Sequence, residues 1–148
     1  MRKMRYKKLF ENVLLSAYAE FLVVFLFGAS VYYSIEILWR GYSHITMFFA
    51  GGICFSGIYY FEKRISGIKL IYRCIIYAFL ITAVEFVFGV VFNLFLGLNI
   101  WDYSHRAFNI LGQVCPLFFV LWMLISVPAT WICVTIRHYF ENKRKEIT

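Results

Sequence analysis

The stretch Lys69–Leu96, KLIYRCIIYAFLITAVEFVFGVVFNLFL, decides the fold. Beyond Arg73 its only charged side chain is Glu85. At about 1.5 Å per residue, a helix of this length exceeds the ~30 Å hydrocarbon core of a bilayer. The run lacks the strict alternation of an outer-membrane strand, so helix is the reading. Three other stretches read the same way: Val13–Leu38, the shorter Ile45–Phe61, and Asn109–Ile136. The expected fold is an all-α polytopic bundle of four transmembrane helices, a single integral membrane domain over residues 1–148.

Composition agrees. Of 148 residues 62% are hydrophobic and 16% charged, more apolar surface than a water-soluble domain of this size can bury. The net charge of +7 does not indicate nucleic acid, because the basic residues sit in short segments between apolar runs. The first apolar run is too long for a signal-peptide core and is expected to remain as the first helix. Cys54, Cys74, Cys115 and Cys133 all lie in apolar stretches without C-x-x-C spacing, so buried free thiols are expected, with no metal and no cofactor.

Thirteen of the fifteen Lys and Arg residues fall at the two ends of the chain and around the middle turn; Arg40 and Arg106 alone lie on the opposite side. The positive-inside rule then predicts cytoplasmic N- and C-termini in the cell (inner) membrane, with Trp39–His44 and Gly97–Phe108 facing outward. Such a bias also disfavours insertion in both orientations.

An internal match adds to this. YSHITMFFAGGIC (Tyr42–Cys54) aligns without gaps on YSHRAFNILGQVC (Tyr103–Cys115), with Tyr, Ser, His, Gly and Cys coincident and a tryptophan shortly before each copy. It predicts two helical hairpins of parallel topology, related by a pseudo-two-fold axis along the membrane normal.

Ionisable groups at bilayer depth cost about 2.5 kcal/mol or more on insertion scales, so each needs a partner or a cavity. Glu36, Arg40 and His44 are spaced by four, with Glu36 and Arg40 a natural ion pair, although Gly41 interrupts the run. Glu85, Gly89 and Asn93 repeat by four, and Asn109, Gly112, Gln113 and Pro116 follow i, i+3, i+4, i+7. These stripes converge on the outer half of the bundle beneath Asp102, Tyr103, His105 and Arg106, whereas Glu20 lies in the inner third.

Two explanations compete. The polar groups could glue the bundle through Glu36–Arg40, Asp102–Arg106 and interhelical amides, with Gly51, Gly52, Gly57, Gly89 and Gly112 permitting close approach. Alternatively they form a binding cavity for a substrate or ion, comprising Glu36, Arg40, His44, Glu85, Asn93, Asp102, His105, Asn109 and Gln113. Trp39 and Trp101 read as interfacial anchors. Glu62, Lys63 and Arg64 read as a middle loop, either solvated or a docking surface.

The run WRGYSHITMFFAGG (Trp39–Gly52), Glu85, and Trp101-Asp102-Tyr103-Ser104 followed by Asn109, Gly112 and Gln113 resemble a bacterial family of small membrane proteins, the putative ABC-transporter type IV family. The resemblance covers nearly the whole membrane portion and implies a permease-like role. No G-x-x-x-x-G-K-[ST] P-loop occurs, so an ATPase would be a separate partner.

A transport component with Glu85 as ion or proton site is the leading expectation. Four helices are few for alternating access, which implies a homodimer or a partner permease. The alternative is an intramembrane enzyme acting on lipid-linked or envelope substrates, with His44 or His105 as base and Arg40 or Arg106 holding a phosphate. No catalytic signature accompanies it. A third reading is an accessory or sensor protein.

Overall fold

The computed structural model describes the backbone of residues 2–147 and the side chains of residues 14–146. The N-terminal basic residues through Lys8 lie outside the described side chains. Four helices run in order: α1 Arg2–Arg40, α2 Ile45–Ile65, α3 Leu70–Phe88 and α4 Pro116–Ile147. All four are long and apolar enough to cross a membrane. α3 continues as a π-helical segment, Gly89–Phe95.

α1 packs most extensively on α2, and α3 on α4, as two hairpins; α2 also touches α4, while among the described residues the backbones of α1 and α3 stay apart and are bridged by side chains, Tyr32 to Glu85. The bundle is therefore rhomboid, with α2 and α4 on the short diagonal. Small residues set the α1–α2 spacing. A Cβ on Gly28 would fall 2.2 Å from Phe55 Cβ, and one on Gly51 would fall 2.3 Å from Tyr32 Cβ. This reciprocal fit is the small-residue packing that membrane helices use where no hydrophobic force drives them together. The core is Val24, Cys54, Ile58, Tyr59, Tyr77 and Cys133 with their neighbours. All four cysteines are buried free thiols.

Two ends of the bundle can be told apart. The loop end carries the Gly41–His44 turn and the connection 96–115; the basic end carries the α2–α3 turn and both termini. Three departures from expectation follow.

α4 begins at Pro116, seven residues later than expected. Phe108, Leu111 and Gly112 adopt positive φ (55°, 52° and 69°), which no right-handed helix accommodates, and Pro116 suits a first helical turn because it has no N–H to satisfy. Residues 109–115 instead form a compact turn closed by Ile110 N–H to Val114 O at 2.9 Å.

The repeat consequently holds for the hairpin plan but not for conformation. Gly51 and Cys54 sit within α2, whereas their counterparts Gly112 and Cys115 lie in the loop.

Glu62 is not in a loop. α2 runs to Ile65, and Glu62 is fully buried, ion-paired with Arg73 and accepting the hydroxyl of Tyr77. Arg73, one helical turn into α3, brings the opposite charge that lets a carboxylate occupy this position.

Candidate functional site

α1 stops at Arg40 because Gly41 takes φ +79° and the chain reverses; His44 then caps α2, its Nδ1 accepting the Thr46 N–H at 3.3 Å. His44 thus leaves the stripe expected of it, while Glu36 and Arg40 form the ion pair. Glu36 also accepts the Ser43 hydroxyl. Arg40 reaches across to the long connection, donating to Ile100 O at 2.7 Å, and its guanidinium lies 4.9 Å from the Tyr42 ring centre. Its Nε has no partner.

Asn93 and Gln113 organise the connection. Asn93 Nδ2 donates to Trp101 O and to Gln113 Oε1, both at 2.9 Å, and its Oδ1 accepts Ile100 N–H at 2.7 Å. Gln113 O accepts the Trp101 indole N–H at 2.9 Å. The π-helical segment keeps Asn93 on the buried side with Glu85 and Gly89. Every polar atom of Asn93 is satisfied, so this pair is a structural clamp. Trp101 is part of it: only 7% exposed, it is a buried residue and not the interfacial anchor expected. Its indole went inward because a carbonyl was there to accept its N–H. Trp39, by contrast, is 72% exposed.

Asn109 bridges the turn, donating to Ser104 O and Arg106 O and accepting Gly112 N–H. Asp102 does not pair with Arg106. Both its oxygens are taken by Ser104, through the N–H at 2.7 Å and the hydroxyl at 2.8 Å, an Asx turn that holds its carboxyl below the usual carboxylate range. His105 is exposed on the same turn.

Glu85 is 2% exposed. Its Oε1 accepts the Tyr32 hydroxyl at 3.0 Å and its Oε2 the Trp122 indole N–H at 2.7 Å. The Tyr32 and Trp122 rings stack with centres 5.6 Å apart. Tyr103 stacks on Phe118 at 4.4 Å, and burial with Glu85 nearby pushes its hydroxyl pKa up.

These aromatic pairs wall a cavity of about 280 Å³ between α1, α4 and the long connection. Tyr32, Tyr103, Phe118 and Trp122 form its inner surface. Glu36, Arg40, Asp102 and Arg106 line its polar side. Trp39, Ile35, Leu121 and Ile125 complete it. Of the residues expected here, Glu36, Arg40 and Asp102 line the cavity, Glu85 anchors two of its walls from behind, and His44, His105, Asn93, Asn109 and Gln113 lie outside it. The wall aromatics were not singled out by sequence reading, since 22% of the chain is aromatic and no spacing distinguishes these. A second, polar cavity of about 480 Å³ lies at the basic end, around Glu20, Tyr59, Lys63 and Arg137, with Glu20 ion-paired to Arg144 and accepting the Tyr59 hydroxyl.

Four apolar spans enclosing polar clusters define a membrane protein. Residues 3–147 match the putative ABC-transporter type IV family, and the chain belongs to it. No curated protein and no solved structure matches the chain.

Proposed function

We propose that this chain is the membrane-spanning, permease-like component of a transport system, and that the loop-end cavity is where its ligand rests. The observation that carries the reading is the cavity itself: aromatic walls with two acids and two bases gathered along one side, the pattern of an organic-ligand site. Family membership supports transport as the setting. The thirteen-to-two distribution of basic residues supports an orientation in the cell (inner) membrane with the basic end cytoplasmic and the cavity on the outer side. A second copy or a partner permease completes the pathway, and a separate ATPase supplies the energy, since the chain has no P-loop.

The enzyme reading has less behind it. His44 spends its Nδ1 on the α2 cap, and neither His44 nor His105 lines the cavity, so neither histidine stands beside Arg40 as the base that reading calls for.

The test is purification from cross-linked native membranes. A nucleotide-hydrolysing subunit present in fixed ratio, whose ATP turnover falls when Trp122 is replaced by Ala, is the expected result. Recovery of the chain without any ATPase, with unchanged lipid and solute distribution across the membrane of cells lacking it, would overturn the transport reading.

A further inference from the structure

The loop-end cavity is not lined by loop residues alone. Its wall includes Ile35 of α1 and Ile125 of α4, which are 41% and 37% exposed and lie within the apolar spans. The cavity therefore reaches between the apolar spans of α1 and α4 instead of stopping at the loop. The cavity volume of about 280 Å³ sits at the lower edge of the roughly 300–1,000 Å³ typical of small-molecule sites. It suits a headgroup and the first part of a chain, with the remainder left in the membrane.

The polar side specifies the head. Glu36 and Arg40 neutralise each other. Asp102 and Arg106 both line the mouth, and among the described residues neither has an ion-pair partner. Asp102 is hydrogen-bonded to Ser104 but keeps its charge. One unpaired carboxylate and one unpaired guanidinium complement a zwitterion. Arg106 offers guanidinium donors to a phosphate. Asp102, with the aromatic residues Trp39 and Tyr103 in the same lining, suits an ammonium group.

We propose that the ligand of this cavity is a zwitterionic phospholipid-like amphiphile carrying phosphate and amine in its head, entering from the bilayer through the α1–α4 cleft. The inference rests on the reading of the cavity as the ligand site. Nothing else lining the cavity carries a charge, and its deep walls are aromatic, as a chain and a desolvated head require.

Photo-cross-linking tests it on the whole protein in nanodiscs. Phosphatidylethanolamine and phosphatidylglycerol analogues, each with a diazirine on the chain carbons nearest the head, are compared at equal content, and labelled residues are mapped by mass spectrometry. Trp131, 67% exposed on α4, serves as the bulk-lipid reference. The expected result is labelling of Tyr32, Phe118 and Trp122 by the ethanolamine lipid, several-fold above the glycerol lipid. That preference is lost in Asp102→Asn and in Arg106→Gln while Trp131 labelling is unchanged.

Equal labelling of the cavity by both lipids overturns the zwitterionic head. Labelling only by a soluble diazirine-bearing phosphoethanolamine overturns entry from the bilayer and leaves the cavity as a ligand site. If neither lipid nor soluble probe labels Tyr32, Phe118 or Trp122, the reading of the cavity as a ligand site falls as well.

Discussion

Trp122 and Glu85 hold each other across the α3–α4 interface, the indole N–H donating to Oε2 at 2.7 Å while Tyr32 of α1 donates to Oε1. A single carboxylate therefore ties three helices together at the floor of the cavity. Glu85→Gln replaces one acceptor with an amide that faces a donor. The expected loss is about 1–3 kcal/mol, the cost of an unsatisfied buried group. Trp122→Phe should lose a similar amount, and the double variant less than the sum, because both remove the same bond. Reversible unfolding in mixed SDS micelles measures all three. Additive losses would show that the bond does not couple the helices.

The Glu62–Arg73 pair gives a sharper contrast. Arg73→Gln leaves a fully buried carboxylate with only the Tyr77 hydroxyl, and the expected destabilisation is about 3–5 kcal/mol. Adding Glu62→Gln removes the stranded charge and should recover much of that loss. If the double variant is no more stable than Arg73→Gln alone, the charge is not what the pair is for.

The helical plan was legible because a bilayer demands long apolar runs, and Glu36–Arg40 because i, i+4 spacing brings side chains together on any helix. The start of α4 was not legible. Asn109, Gly112 and Gln113 fit a helical period by residue number, yet the Asn109 and Gln113 side chains bond to backbone groups nearby, the Gly112 N–H among them, and favour a turn. Trp101 misled for a related reason: whether an indole faces lipid or protein depends on an acceptor, Gln113 O, that arrives from a distant part of the chain. The cavity drew its charged side from readable residues and its walls from aromatics that only packing distinguishes.

Asn93 tests the clamp. Asn93→Leu strips the acceptor from Ile100 N–H and the donor from Trp101 O and Gln113 Oε1. The connection 96–115 should become protease-sensitive while the helical circular dichroism is retained, since the four spans do not depend on it for their own hydrogen bonds. Intact resistance to protease would mean that the backbone turns at Gly112 and Asn109 suffice.

Gly51→Ala sets two effects against each other. In a helix interior alanine gains roughly 0.5–1 kcal/mol over glycine. Here the added Cβ would meet Tyr32 Cβ at 2.3 Å and Gly28 O at 3.0 Å, atoms fixed close to the α1 backbone that cannot swing aside. Overpacking of this kind costs about 1–3 kcal/mol, so the clash wins and α1 must move away from α2. Tyr32 moves with it, breaking its bond to Glu85 and opening the cavity wall it shares with Trp122. The variant should be less stable and should lose cavity labelling together. Gly67→Ala is the control, because nothing lies within 4 Å of its Cβ and its φ is not in the left-handed region. That substitution should be neutral or slightly stabilising by about 0.4–1 kcal/mol through the unfolded chain. Equal stability of the two variants would show that α1 and α2 are not held at the spacing Gly28 and Gly51 impose.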